Sequence, residues 1–585
     1  MNKQDIAERF ATLSPEKQKV FLSALKERGI DFSLLPIVQQ PVEKRHILSY
    51  AQQRHWFLWQ LDPQSTAYHL GGALWLRGRL NRAALEESFQ ILVARHEALR
   101  TVFRANVQGL PEQIIEAAGR FKLTVIDLRT VPAAQRAARV REEAIRIHTT
   151  PFDLTQGPLL RVVLLQVEPE EHHLVVVMHH IISDAWSNRI IIDEFAACYR
   201  ALSEGQQIAL PPLSIQYVDY AIWQRSFLEA GEKERQLAYW RSQLGETHPV
   251  LQLPTDHPRS STGSYRAAHH DFILPSTLMV RMQRQMQAHG VTLFMGLLTG
   301  FQALLYRYTG QSEIRVGVPI ANRQRVEIEN LVGFFVNTQV LCNRVDGRMP
   351  LERLLAQTRD AALGAQTYQD LPFEQLVEAL QPERNLNLNP LFQVMFNHLR
   401  EDDHTLVQLP GLTVEEYELG EQGAQFELTL DTVERPDGRV EARFTYAAEL
   451  FEPQTIVRMS EHYLRLLEQL AQLVDRPGQC LGDVAFMNEK EWDQLKAWGV
   501  NEQRYTSVEP VHRLIEQQAM LRPNATALIF GDTELSYAQL NRRANRLAHR
   551  LIALGIQSES RVGIALERSI DMIVGLLATL KAGGA

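Results

Sequence analysis

The sequence predicts an α/β fold in which open sheets are covered by helices. Three observations predict it. Strand-like and helix-like segments alternate from about residue 46 to residue 485. The run Leu174-Val175-Val176-Val177-Met178 is short, apolar throughout and rich in β-branched residues, the pattern of a strand covered on both faces. A helix-like stretch, Ile190 to Leu202, follows it. The apolar fraction is 45% and the charged fraction 22% in 585 residues, enough for more than one buried core.

Residues 1–45 read as a helical extension and linker. Ser14 followed by Pro15 is a helix start, a cap and then a residue suited to the first turn. Val20, Phe21, Ala24 and Leu25 form an apolar stripe, and Gly29 is the stop. Leu35 to Lys44, with Pro36 and Pro41, is a looser connection. The extension either stabilises the body or docks an upstream protein. Asn81 caps a helix carrying Leu85, Phe89 and Leu92 on one face. Glu168, Pro169, Glu170 and Glu171 run into His172-His173, and the whole stretch reads as a solvated turn. Pro410-Gly411 and Pro436-Asp437-Gly438 are turn signals, the second dividing Phe426–Leu430 from Val440–Phe444 as a hairpin. Residues 486–506, with Asn501-Glu502 and Tyr505-Thr506, read as a linker. A helix and then a strand are expected over 511–530. Ser536 with Gln539 is a capping box ahead of Leu540, Ala544, Leu547 and Leu551.

Charge narrows the partners. With 61 Lys and Arg against 69 Asp and Glu, the net charge is -8, and neither nucleic acid nor an anionic membrane is expected to bind. No run of about 18 apolar residues predicts a membrane span. Residues 1–20 carry no secretory pattern. Cys198, Cys342 and Cys480 are too few and too scattered for a disulfide framework or a metal pair, so a cytoplasmic location is expected.

The chemistry concentrates in Met178-His179-His180-Ile181-Ile182-Ser183-Asp184-Ala185-Trp186-Ser187. Two histidines stand at the end of the buried strand, just before a helix starts. Strand ends that open onto helices are where α/β proteins place reactive groups. A histidine there exchanges protons near neutral pH. Asp184 follows His180 by four residues and can hold the loop or pair with an arginine. Metal binding and a purely structural pair are the rival readings, though no further Cys, His or Glu cluster completes a metal site.

Seven ordered blocks over about residues 46–450 resemble the motifs of nonribosomal peptide synthetase condensation domains. They are Leu48-Ser49-Tyr50-Ala51-Gln52-Gln53-Arg54-His55-Trp56-Phe57-Leu58, Arg95-His96-Glu97-Ala98-Leu99-Arg100-Thr101-Val102-Phe103, the double-histidine block, Tyr217-Val218-Asp219-Tyr220-Ala221-Ile222-Trp223, Val332-Gly333-Phe334-Phe335-Val336-Asn337-Thr338-Gln339, Tyr368-Gln369-Asp370-Leu371-Pro372-Phe373-Glu374, and Arg384-Asn385 with Asn389-Pro390-Leu391. Leu535-Ser536-Tyr537-Ala538-Gln539-Leu540-Asn541 and Leu580–Ala585 resemble the first motifs of an adenylation domain. The later adenylation motifs are not in this sequence, so adenylation activity is not expected of it.

The resemblance implies two lobes, each like a chloramphenicol acetyltransferase subunit, arranged as a V: about 46–220 and 221–485, with a truncated adenylation segment at 507–585. It implies that the Phe426–Phe444 region supplies the segment crossing from the second lobe to the first. The implied reaction joins a donor acyl or peptidyl thioester to an aminoacyl acceptor, each carried on the phosphopantetheine arm of a separate carrier protein. No cofactor is expected to be bound intrinsically. The catalytic residues implied are His180, His179 and Asp184. His180 takes a proton from the amine or orients it, while His179 shapes the loop. Asp184 pairs with a charge partner, for which Arg323 in Val316–Arg323 is the candidate. Ala185 departs from the family's usual glycine, and its methyl group is tolerated only where φ is negative. The first motif is most similar to the subtype joining an L-donor to an L-acceptor. Because the sequence starts at Met1, the donor is expected from an upstream synthetase subunit in trans. Alternatives are a starter domain using a fatty-acyl donor, a CoA-dependent acyltransferase and a non-catalytic docking module.

Overall fold

Alternation of apolar and polar side chains builds two β-sheets within one compact unit, Met1–Met487, and Asn488–Ala585 forms a second unit. The structure, a computed structural model, describes residues 2–28, 30–119, 121–259, 265–381, 389–400, 409–417, 423–501 and 509–585. Gly29, Arg384, Asn385, Glu502, Tyr505 and Thr506 lie outside the described residues.

The N-terminal extension is two helices, α1 (Lys3–Thr12) and α2 (Pro15–Glu27). Phe10, Leu22 and Leu25 pack with Phe32, Leu35, Phe227 and Leu228. The stripe expected on α2 is displaced: Val20 is 71% exposed, and Leu22 takes the inner position. Phe21 and Leu25 keep the inward side expected of them, with the Phe21 ring 5.9 Å from that of Phe10.

The helix α3 (Tyr50–Leu61) leads into β1 (His69–Gly78) and α4 (Arg82–Arg95). Asn81 caps α4 by accepting from the Ala84 N–H, and Leu85, Phe89 and Leu92 are buried. The strands β2 (Thr101–Ala105) and β3 (Pro111–Ile115) form a separate ribbon. Then come β4 (Thr124–Asp127), α5 (Ala133–Thr149), β5 (Leu160–Glu168), β6 (Glu171–His179), α6 (Ala185–Ser203) and α7 (Tyr217–Phe227). The second sheet contains β7 (Tyr265–Leu274), β8 (Glu313–Ile320), β9 (Asn337–Arg344) and β10 (Val394–Arg400). The strand β11 (Leu412–Tyr417) precedes β12 (Gly423–Ala424), β13 (Leu428–Glu434) and β14 (Val440–Ala447).

The first sheet has the order β11-β1-β6-β5-β4 and the second β12-β7-β14-β13-β10-β8-β9. The strand β6 pairs antiparallel with both β1 and β5 and is buried along most of its length, which explains its unbroken apolar run. Two expectations change here. The acids before β6 do form the turn between β5 and β6, but His172 and His173 belong to the strand and are buried. As neighbours on a strand between β1 and β5 they face opposite sides of the sheet, both covered, and His173 stacks on Trp75 at 5.8 Å. The segment that crosses between sheets is β11, not the later hairpin. Its edge pairs with β1, from Ala73↔Tyr417 to Gly78↔Leu412, whereas β13 and β14 stay in the second sheet with Leu430 opposite Phe444.

The second core is organised by two helices, Leu293–Thr309 and Pro453–Leu470, which bury Leu297, Phe301, Tyr463 and Leu467. The first core reaches beyond its own sequence, taking in Ile328, Val332, Phe334 and Phe335 from the second half. Among the described residues no single helix is long and apolar enough to cross a membrane. In the second unit, Glu489–Gly499 is helical within the stretch read as a linker. The helix Val511–Leu521, the strands Thr526–Phe530 and Thr533–Ser536, and the helices Tyr537–Ala553 and Ile570–Lys581 follow. Ser536 and Gln539 form the capping box, and Leu540 and Ala544 pack with Val574 and Leu577.

Candidate active site

The end of β6 places the histidine pair. His179 is the last strand residue, opposite His69 on β1, and its N–H donates to the Leu159 carbonyl at 3.1 Å. His180 opens a short turn, and its N–H donates to the Tyr68 carbonyl at 2.8 Å. Both rings are set by backbone partners. His180 Nδ1 lies 2.8 Å from the Ser183 carbonyl, which only an N–H satisfies, so Nδ1 carries the proton and Nε2 is the free basic nitrogen. His179 Nδ1 accepts from the Ile181 N–H at 3.1 Å, so its proton sits on Nε2. Burial lowers the pKa of His180, opposed mainly by the Asp184 charge. Burial pushes His179 down to about 3, helped by His69 and His180. Both rings are therefore neutral near pH 7, as a proton acceptor must be.

Asp184 is the N-cap of α6, which starts at Ala185, ahead of the stretch Ile190 to Leu202 read as helix. Its Oδ1 accepts from the Ser187 N–H at 2.7 Å and lies 3.3 Å from Arg323 Nη2. Its Oδ2 accepts from the Phe335 N–H at 2.9 Å. Both carboxylate oxygens are thus engaged within a buried loop, and neither is free to act as a base. Arg323 also donates to the Ile328 and Leu331 carbonyls and to Ser187 Oγ, each at 2.7 Å, and lies over the Phe335 ring. Ser187 Oγ donates to the Gly333 carbonyl at 2.8 Å. The double-histidine loop of the first half is in this way tied to 323–335 of the second. Ala185 is exposed at the first position of α6, where helical backbone has negative φ, so its methyl group is accommodated.

A third line of contacts joins α3 to the same place. The Ser49 and Tyr217 hydroxyls are 2.9 Å apart, and Tyr217 donates to the Phe334 carbonyl at 2.5 Å. The Phe334 ring packs edge-on against His180 at 4.7 Å and against His55 at 4.6 Å. Ser49, His55, Tyr217 and Phe334 all stand inside the motif blocks, yet the sequence alone assigned them no role. The signal available was their presence in three separate blocks whose common target was unknown. Among the described residues no group of three or more His, Cys, Asp or Glu is arranged to hold a metal ion.

The family model for the condensation domain matches residues 42–496, and that for AMP-binding enzymes matches 515–585. The malpinin synthetase of Mortierella alpina is 40% identical over 538 residues, covering 92% of this chain and 7% of that protein. The phosphinothricin tripeptide synthetase PhsC of Streptomyces viridochromogenes is 36% identical over 586 residues, covering 99% of this chain and 53% of that protein. The chain thus spans only part of the curated relatives it matches. Among solved structures, the X-domain in complex with OxyB from teicoplanin biosynthesis aligns with a TM-score of 0.68 and 26% identity, over 77% of this chain and 98% of that one. The two-sheet α/β architecture, the double-histidine loop and a family match over most of its length together show that this chain belongs to the condensation domain family of nonribosomal peptide synthetases, with a partial AMP-binding enzyme domain behind it.

Proposed function

We propose that this chain forms an amide bond between an acyl or peptidyl thioester donor and an aminoacyl acceptor, with His180 Nε2 at the reacting amine. Condensation domains of nonribosomal peptide synthesis work with the phosphopantetheine arms of carrier-protein domains and with neighbouring subunits. In this reading both substrates are tethered to separate peptidyl carrier proteins. The donor's carrier belongs to an upstream subunit, and the donor and acceptor amino acids are both L-configured. The lobes are about 46–220 and 221–485, joined by a linker at 486–506 to the segment 507–585.

The observation that carries the reading is the free, neutral Nε2 of His180, oriented by the Ser183 carbonyl. It accepts the amine proton as the nitrogen attacks the thioester carbonyl, or holds that N–H while charge develops. Holding two tethered reactants together supplies a further part of the acceleration. His179, with Nδ1 taken by the backbone, shapes the turn. Asp184 and Arg323 hold the loop closed rather than touching substrate.

The test uses the purified chain with one carrier loaded with an L-aminoacyl donor and another with an L-aminoacyl acceptor. Intact mass spectrometry follows dipeptide on the acceptor. His180→Ala is expected to fold and to lower the rate at least about 100-fold, the usual size of a general acid–base contribution. Unchanged turnover by that variant rejects the role. Product only with fatty-acyl donors marks a starter domain, and transfer from free CoA thioesters marks a CoA-dependent acyltransferase. The likeness to an X-domain solved in complex with OxyB favours a docking module as the second reading. No product with any donor, together with binding of a partner enzyme, would establish it.

A further inference from the structure

Beside His180 stands an imidazole that the roles above leave unused. His55 lies on α3 and is only 5% exposed. Tyr68 and Phe334 meet its ring edge-on, at centroid separations of 4.5 and 4.6 Å. Its centroid is 5.7 Å from that of His180 and 6.1 Å from that of His179. The two imidazoles His55 and His180 thus share the Phe334 ring as a common wall. They differ in hydrogen bonding. His180 Nδ1 is held by the Ser183 carbonyl, whereas His55 Nδ1 is buried with no hydrogen-bond partner among the described residues. An unpaired buried nitrogen destabilises the fold, and an apolar side chain of similar size would avoid that cost. Burial, with His180 and His179 nearby, holds His55 neutral, so its ring keeps a lone pair.

We propose that His55 is a substrate-contacting residue whose ring nitrogen accepts a hydrogen bond from the second N–H of the attacking amine while His180 engages the first. The proposal rests on the amide-forming reading above. In that reaction the C–N bond forms and the C–S bond breaks. Directly after attack by a primary amine, the nitrogen carries two hydrogens. One proton leaves through His180 to the departing thiolate, and the other remains as the amide N–H. His55 holds the one that remains and so aims the lone pair at the carbonyl. Ring centroids 5.7 Å apart are close enough for one amine nitrogen to reach both imidazoles when a nitrogen of each ring faces it.

A secondary amine offers no second N–H, and this separates contact from packing. Single-turnover dipeptide formation by the full chain is measured with L-alanyl and with N-methyl-L-alanyl acceptors, in the parent and in His55→Leu, His55→Met and His55→Gln. His55→Leu and His55→Met are expected to slow the L-alanyl acceptor about tenfold, the size of one hydrogen bond to a charged group, and to leave the N-methyl acceptor nearly unchanged. His55→Gln, whose amide oxygen accepts, recovers most of the L-alanyl rate. Thermal unfolding identifies any variant that fails to fold, and the others then carry the comparison. Equal losses on both acceptors, or no loss on either, overturn the contact while leaving the amide-forming reading intact. No dipeptide from the parent chain with either acceptor overturns both.

Discussion

Asp184 spends its charge on the fold. One oxygen takes the Ser187 N–H and the Arg323 guanidinium, and the other takes the Phe335 N–H. In Asp184→Asn an amide N–H₂ must face either the guanidinium or a backbone N–H, and Arg323 keeps a buried charge without a counter-charge. The expected loss is about 3 kcal/mol of stability, with activity falling alongside. Denaturant unfolding checks the first and the dipeptide assay the second. A folded Asp184→Asn protein with full activity refutes an essential pair. The buried histidines set a pH dependence of stability. Burial pushes His179 down to about 3 and His173 to about 4, both from an ordinary 6.5. Between those lowered values and 6.5 the unfolded chain binds protons that the native histidines refuse. Stability is therefore complete above pH 6.5 and declines as pH falls through that window, by up to about 1.4 kcal/mol per pH unit for each group. His173→Phe keeps the stack on Trp75 and is expected to flatten the decline between pH 6 and 4, read from denaturant midpoints. An unaltered slope would remove His173 from the account.

At the scale of elements, the site depends on how closely α7 approaches the segment after β8. A Cβ on Gly333 would overlap the Tyr217 ring, whose hydroxyl links Ser49 to the Phe334 carbonyl. Gly333→Ala is expected to cost more than about 2 kcal/mol, the usual cost of overpacking a core, and to displace Phe334 from His180. Tm and single-turnover rate should fall together. A stable, fully active Gly333→Ala protein would show that this contact does not position the loop. The elements themselves were unequally legible. The caps at Asn81 and Ser536 were readable because cap chemistry is local. The strand at 174–178 announced itself by its apolar run. The turn before β6 was read correctly in its acids but extended too far, because period alone does not show that β1 and β5 close over His172 and His173.

The whole molecule separates its tasks. His55, His179, His180, Asp184 and Arg323 all lie in Met1–Met487, and the second unit has its own small core. A chain ending at Met487 is expected to retain dipeptide formation within about twofold, since a unit with its own core folds by itself. Loss of activity in that shortened chain would assign the second unit a part in the reaction. Motif order in the sequence determined the family, the histidine loop and the alternation of strand and helix, since those rest on neighbouring residues and local periodicity. Tertiary structure alone decided that β11 crosses to the edge of β1 and that His55 stands 5.7 Å from His180. Such meetings join residues far apart in the chain, and no spacing along it records them, because they are selected by how two buried surfaces close on each other.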